Sequence, residues 1–431
     1  MDQRWLGILI VVAAWIVVRT LFGKRRTQPR SSRSIHKERY EQQRVRPAIR
    51  EKRPLIVGRN KSPLLAVASP PHSFAHRGLK PGTWYDLSQD GRNDELVRRG
   101  LPVFQTPDEL AAWLNVPVNR LAWLAYRCTR GNLPGVSQSH YVYTWKPKRT
   151  YGYRLIESPK ASLKTVQRQI LTEILDHLLV SEAAHGFRKE HSILTNAQLH
   201  VNAAVVVKFD LSDFYLTVRS GRITNLLRRV GYSREVAIWL TRLTTSTIPG
   251  NLPPPPTNPI VMWNYRQRHL PQGAPSSPAL ANLVAYRLDQ RLLGLAKSFG
   301  ANYTRYADDL TFSGDESFAA ALRAFIPLVE AIIRRERFQS NNAKRQILRR
   351  HQRQIVAGVV VNEKPNFCRK DFDRLKAILH RCVTQGPAAQ NRDQIEDFAA
   401  HLRGRIAHVR QLNPQRALKL ESLFQRIDWR R

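Results

Sequence analysis

Asn302-Tyr303-Thr304-Arg305-Tyr306-Ala307-Asp308-Asp309-Leu310-Thr311-Phe312 decides the fold. Two short β-rich runs meet at an acid pair, which predicts a hairpin with Asp308 and Asp309 at its turn. Upstream, Ala203 to Phe209 (AAVVVKF) reads as a buried strand that runs into Asp210-Leu211-Ser212-Asp213-Phe214-Tyr215. A strand ending in Asp210 beside that hairpin would bring a third carboxylate to the other two. Three carboxylates can hold two Mg²⁺ ions when phosphates and waters supply the remaining oxygens. An Asp-Asp pair also makes an ordinary turn, so the pair alone does not settle the matter.

The spacing predicts further elements on both sides. Thr106-Pro107-Asp108-Glu109 reads as a capped helix start, and Tyr141 to Ile156 as a solvent-edged hairpin. Helices are expected at 163–180, 219–230, 233–245, 278–298 and 317–337, with a strand over 355–361. Six prolines between 249 and 259 exclude a helix or a central strand there, so 249–266 reads as a surface insertion. The last sixty residues read as basic amphipathic helices.

Four blocks then agree in order, spacing and identity with one family. Tyr306-Ala307-Asp308-Asp309 with the Asp210 motif resembles the polymerase signature of reverse transcriptases. Leu270-Pro271-Gln272-Gly273-Ala274-Pro275-Ser276-Ser277-Pro278 resembles their template- and nucleotide-gripping loop. Tyr153 to Pro159 and Leu163 to Arg168 resemble their fingers motifs. Within the superfamily the chain is most similar to bacterial retron reverse transcriptases. His185-Gly186-Phe187-Arg188, Ser192-Ile193 and Asn196-Ala197-Gln198-Leu199-His200 match the NAxxH element. Val356-Ala357-Gly358 resembles the VTG element, with Ala357 where threonine is usual.

The resemblance implies an α+β right hand: fingers and palm over 101–368 and a helical thumb over 369–431. It implies an RNA-directed DNA polymerase using Mg²⁺ and dNTPs. Asp210, Asp308 and Asp309 would be catalytic and hold two ions, with the Leu211 carbonyl as a further ligand. Arg154, Tyr215, Gln272, Gly273 and Lys344 would meet the nucleotide. Tyr215 would be the steric gate against a ribose 2′-hydroxyl, or else a core aromatic beside Phe214. Lys146 or Lys148 would add a phosphate contact. Lys344 would donate a proton to pyrophosphate, or else be a solvated lysine. Asn196, His200, Val356, Ala357 and Gly358 would bind RNA. The partners implied are a structured noncoding RNA, primed at an internal 2′-hydroxyl to give a branched RNA–DNA, its DNA product, and a separate effector protein in phage defence. A group II intron-like enzyme and a noncatalytic membrane-tethered RNA scaffold are the alternatives.

Composition fits a polyanion partner. Lys and Arg number 70 against 33 Asp and Glu, a formal charge of +37. At 42% hydrophobic residues the chain is no disordered basic tail. Cys128, Cys368 and Cys382 are too dispersed for a zinc site or a disulfide framework. Trp5 to Phe22 carries only Arg19 as a charge and is followed by Gly23-Lys24-Arg25-Arg26. Residues 1–22 are therefore expected to be a membrane anchor, single-pass in the bacterial inner membrane with the catalytic part cytoplasmic. A helix docked on the protein's own core is the other reading. Residues 23–100 read as a basic, largely disordered linker; 23–62 hold 14 Lys or Arg and three acids.

Overall fold

The computed structural model describes residues 66–67, 84–125, 135–148, 152–256 and 262–430. The expected anchor at 1–22 and the linker before residue 66 lie outside the described residues. Among the described residues no helix is long and apolar enough to cross a membrane.

A short antiparallel pair, β1 (Ala66–Val67) and β2 (Trp84–Tyr85), precedes α1 (Asn93–Arg98). The expectation of a linker through residue 100 is corrected here. Leu87 and Leu96 are buried, the Arg92 amide donates to the Gly231 carbonyl at 2.7 Å, and the Glu235 amide donates to the Leu87 carbonyl at 3.0 Å. Two buried leucines give no period, and the residues they pack on lie some 140 positions away. Next come α2 (Pro107–Trp113) and α3 (Val118–Leu124). Thr106 caps α2 by accepting from the Glu109 amide at 3.2 Å, as its sequence predicts.

β3 (Tyr141–Pro147) and β4 (Tyr153–Pro159) form the expected hairpin. α4 (Ala161–Glu173) ends earlier than the apolar spacing suggests, with a 3₁₀ turn at Leu175–His177 carrying the rest of that stripe. α5 (Ile193–Gln198) starts in a capping box between Ser192 and Thr195. β5 (Val205–Asp210) is the expected buried strand. It leads into α6 (Phe214–Thr217), α7 (Ser220–Val230), α8 (Arg234–Thr244), α9 (Met262–Arg266) and α10 (Ser277–Ser298).

The proline-rich stretch is less detached than expected. Ile248, Leu252 and Tyr265 are buried in one cluster with Leu155 of β4, and Trp145 Nε1 donates to the Pro253 carbonyl at 3.0 Å. The prolines keep 249–256 out of helix and strand, but 262–266 of the same stretch is α9, and the prolines do not exclude packing.

β6 (Asn302–Tyr306) and β7 (Asp309–Gly314) follow, then α11 (Glu316–Arg335) and β8 (Gln346–Arg349). The single strand expected over 355–361 is a tight hairpin instead, β9 (Ile355–Val356) and β10 (Val359–Val360). Ala357 and Gly358 turn the chain with φ of 47° and 86°, the left-handed pair that a two-residue hairpin loop favours. Three helices finish the chain: α12 (Arg369–Gln385), α13 (Phe398–Leu412) and α14 (Pro414–Gln425), around a core of their own that includes Leu375, Leu379, Leu402, Val409 and Leu420.

The central sheet has the order β6-β7-β5-β8 and is antiparallel throughout. Strand alternation divides its two faces. Val205, Val207 and Phe209 enter the large core that α10 and α11 help to close. Val206 points to the opposite face and packs with Ala197, Val356, Val359, Val361 and Leu412, so α5, the β9–β10 hairpin and the end of α13 meet there. By the same parity Asp210 leaves the sheet on the side of Val206 and Lys208.

Candidate active site

Asp210 pairs with Asp309 in the β5–β7 ladder, so the two carboxylates are cross-strand neighbours. Tyr306 pairs with Asp309, which leaves Ala307 and Asp308 as a two-residue loop. Ala307 sits at φ 55°, a left-handed conformation that alanine adopts only under constraint. The constraint is Arg305, fully buried on β6. Its Nε and Nη2 donate to the two carboxylate oxygens of Asp289 at 2.8 and 2.7 Å. Its Nη1 donates to Asn282 Oδ1 at 2.9 Å and to the Ala307 carbonyl at 3.1 Å. The guanidinium fork thus ties the acidic turn to α10.

Gly186 closes the other side of this turn. A Cβ there would lie 2.9 Å from the Ala307 amide nitrogen, so no other residue fits without movement. Asn282 Nδ2 donates to the Gly186 carbonyl at 2.9 Å, and the His185 amide to the Arg305 carbonyl at 2.8 Å. Phe187, 56% exposed, then stands at φ 57° with its ring 6.1 Å from that of Tyr306. A bulky side chain held left-handed and in solvent marks a constrained segment.

These elements surround a cleft of about 570 Å³. Asp210, Asp308, Leu211 and Lys344 line one part of it; Arg154, Gln272 and Gly273 line another, together with Tyr215 and Lys148. Leu211 buries its side chain, so only its backbone can serve the cleft. Tyr215 packs on Phe214, with ring centroids 5.7 Å apart, and also lines the cleft. Burial, then the charge of Asp308, pushes its hydroxyl up to about 12. Of the two lysines, Lys148 lines the cleft, 3.8 Å from Asp213, and Lys146 does not.

The QG loop is fixed from below. The Glu157 amide donates to the Gln272 carbonyl at 2.9 Å, and Glu157 Oε2 bonds His269 Nε2 at 2.8 Å with both side chains wholly buried. Gly273, at φ 135°, passes so close to the Glu157 carbonyl that a Cβ would lie 3.0 Å from that oxygen. This support, like Arg305–Asp289, was not read from the sequence. A buried Glu–His pair 112 residues apart leaves no local pattern.

The carboxylates carry unbalanced charge. Desolvation, then Asp309 and Asp210, raises the Asp308 carboxyl to about 6, and burial raises Asp309 as well. Lys344 Nζ bonds Asp210 Oδ1 at 2.9 Å, and that bond holds the ammonium above its usual range. Among the described residues no three Asp, Glu, His or Cys side chains close up enough to form a metal cage by themselves. The donor set nevertheless fits a hard divalent cation. Asp210 and Asp308 face the cleft, Asp309 lies beside them, all donors are oxygen, and the desolvated cluster has a charge that added positive charge would relieve.

Residues 146–366 match the family described as reverse transcriptase (RNA-dependent DNA polymerase). The chain is 40% identical over 332 residues to the retron Mx65 reverse transcriptase of Myxococcus xanthus, covering 76% of this chain and 73% of that one. The chain belongs to the retron-type reverse transcriptases. It is 36% identical over 286 residues to the retron Mx162 enzyme of Myxococcus xanthus, covering 63% of this chain and 56% of that one. To the retron Ec86 enzyme of Escherichia coli it is 32% identical over 283 residues, covering 65% and 79%. It is therefore an RNA-directed DNA polymerase of a retron.

The structure corrects the RNA contacts expected of this retron enzyme's NAxxH element. His200 is fully buried and lies between Ser313 Oγ and Thr304 Oγ1, each at 2.7 Å, one ring nitrogen donating and the other accepting. Burial, then His185, pushes it down to about 3, so it is neutral. Asn196 is also buried, its Oδ1 without a partner. Neither side chain reaches the surface; His200 fastens the end of α5 beneath the central sheet through Ser313 and Thr304. Val356 is buried in the same region. Of that group, only the hairpin tip at Ala357 and Gly358 reaches solvent.

Proposed function

We propose that this cleft is the polymerase centre of a right hand, in which the central sheet is the palm, the β3–β4 hairpin belongs to the fingers and α12–α14 form the thumb. The observation that carries the reading is the Asp210–Asp309 register with Asp308 in the adjoining loop, facing Arg154, Tyr215 and Gln272 across one cleft. Asp210, Asp308 and Asp309, with the Leu211 carbonyl, would hold two Mg²⁺ ions. Bound there, the ions supply the Lewis acidity that activates the primer hydroxyl and stabilises pyrophosphate.

The chain's own residues do the rest. Arg154 and Lys148 take the triphosphate from the fingers side. Gln272 and Gly273 let the backbone approach the nucleotide and template. Tyr215 fills the space a ribose 2′-hydroxyl would need. Lys344, beside Asp210 at the rim of the cleft, would donate a proton to the leaving pyrophosphate. Ala357 and Gly358 present a backbone turn to RNA. The thumb grips the product, and a hollow of about 360 Å³ lined by Arg374, Arg381, Arg392 and Arg405 supports that role.

The template is a structured noncoding RNA, primed from an internal 2′-hydroxyl to give a branched RNA–DNA that serves in phage defence with a separate effector protein. Residues 5–22 hold the enzyme at the inner membrane, with the polymerase in the cytoplasm; their apolar run and basic flank support this. Purified protein should extend a DNA primer on an RNA template only with Mg²⁺, and on its own RNA should begin DNA at a 2′-hydroxyl. Metal-independent extension, or none on any template, would refute the reading. Deleting residues 1–22 should move the protein to the salt-washed soluble fraction.

A further inference from the structure

Away from the catalytic cleft, α7, α10 and the end of α11 frame a second cavity, of about 730 Å³. It has no lining residue in common with the first. Six arginines line it, Arg99, Arg222, Arg229, Arg287, Arg335 and Arg337, against one acid, Glu336. That acid is already engaged, by Arg291 at 2.7 Å and Arg287 at 3.3 Å. Among the described residues Arg229, Arg335 and Arg337 have no ion-pair partner, and all three are exposed.

Arg222 lies deepest. Its guanidinium sits 4.3 Å over the Phe338 ring, and Nη2 donates to the Glu336 carbonyl at 3.2 Å. Nη1 is buried with no hydrogen-bond partner. Desolvation pulls the group down to about 10. A fold that gathers like charges and leaves a buried donor unmatched is destabilised by both, unless an anion supplies the missing acceptor.

The lining between the arginines is apolar. Leu226, Leu283, Val284 and Tyr286 contribute to it, and Leu179 stands beside them 74% exposed. Guanidinium forks suit phosphate, and an apolar hollow suits a base. A cavity of this size is typical of sites that enclose a ligand of nucleotide dimensions. A second copy of a chain with net charge +37 would be repelled, and a flat lipid surface would not enter a hollow.

We propose that this cavity is a second RNA site, which holds an unpaired stretch of the enzyme's noncoding RNA by its phosphates with a base against the apolar lining. The proposal rests on the reading that a structured noncoding RNA is the template. It gives the RNA an anchorage that stays fixed while the template strand moves through the cleft.

The test uses the full chain carrying Arg229→Glu with Arg335→Glu, and a second protein with both changed to Gln. Affinity for the cognate RNA should fall roughly tenfold or more for the Glu pair and less for the Gln pair. The slope of log affinity against log salt should become shallower by about 1 to 2, at about 0.7 for each phosphate no longer neutralised. A DNA primer on a short RNA template confined to the cleft should be extended at the unchanged rate. A photo-crosslinker at Leu179 should capture unpaired nucleotides of the RNA. Unchanged affinity and slope in both proteins would overturn the proposal, as would crosslinking to a protein alone. Equal loss of short-template extension in proteins with normal melting would overturn it too, by making the arginines part of the cleft. If the unaltered protein extends no primer at all, the polymerase reading fails, while the binding and crosslinking arms still decide this one.

Discussion

Arg305–Asp289 and Lys344–Asp210 are ion pairs of nearly equal length, 2.7 and 2.9 Å, beside the same acidic turn. In the first, both side chains are wholly buried; in the second, the lysine is 48% exposed and the aspartate 12%. Arg305 spends its donors on Asp289, Asn282 and the Ala307 carbonyl, so nothing can replace it without leaving buried groups unpaired. Lys344 makes one contact at the rim of a cleft. The first pair shapes the turn from within the core, whereas the second leaves its lysine half in solvent at the cleft. Length and charge are alike, and burial alone separates a pair that is costly to break from one that is not.

The largest effect should come from the acids themselves. Asp308→Asn should lower DNA synthesis by several orders of magnitude, measured by single-nucleotide incorporation, while RNA affinity and melting temperature stay nearly unchanged. Near-normal incorporation would remove Asp308 from the reacting centre. Next, Arg305→Met should cost about 3–5 kcal/mol of unfolding free energy, because Asp289 would be stranded as a buried charge. Denaturant titration measures this, and a loss below about 1 kcal/mol would erase the contrast between the two pairs.

Lys344→Met sharpens the contrast from the other side. Stability should change by less than about 1 kcal/mol, as for other half-exposed pairs. Pre-steady-state incorporation should slow about 10²-fold, the usual scale for losing a positioned proton donor, with nucleotide affinity little altered. A variant that unfolds as readily as Arg305→Met would make Lys344 a scaffold residue.

What could be read in the sequence was what is written locally. The acid pair between two β-rich runs, the strand ending in Asp210 and the helices at 220–230, 234–244 and 277–298 all announce themselves by spacing within one element. The supports of the site do not. Asp289 is one helical acid among many until β6 brings Arg305 against it, and His269 finds Glu157 only through the fold. The same limit applies at His200. A histidine four residues after an asparagine looks like a surface pair, yet its partners, Ser313 and Thr304, lie 113 and 104 residues away and draw it under the sheet. The arginine-lined cavity is less legible still, since its six arginines come from four separate parts of the chain.

His200 gives the smallest effect and a clear sign. An exposed histidine titrates near 6.5, whereas burial holds His200 down to about 3. Between those values the unfolded chain takes up a proton that the native protein refuses. The unfolded state therefore binds more protons, and stability falls as pH drops from about 6.5 toward 3. His185, lowered to about 4 by burial and then by His191 and Arg188, acts in the same direction. One such group contributes a slope of at most about 1.4 kcal/mol per pH unit. His200→Gln, which keeps a donor and an acceptor, should be less stable than the parent at pH 7.5 but lose less between pH 7 and pH 5, as followed by denaturant titration at each pH. Its primer extension and its initiation on the noncoding RNA should fall together, since both need the sheet that His200 fastens to α5. A defect confined to initiation, with an unchanged pH slope, would return His200 to the RNA surface and contradict its place in the core.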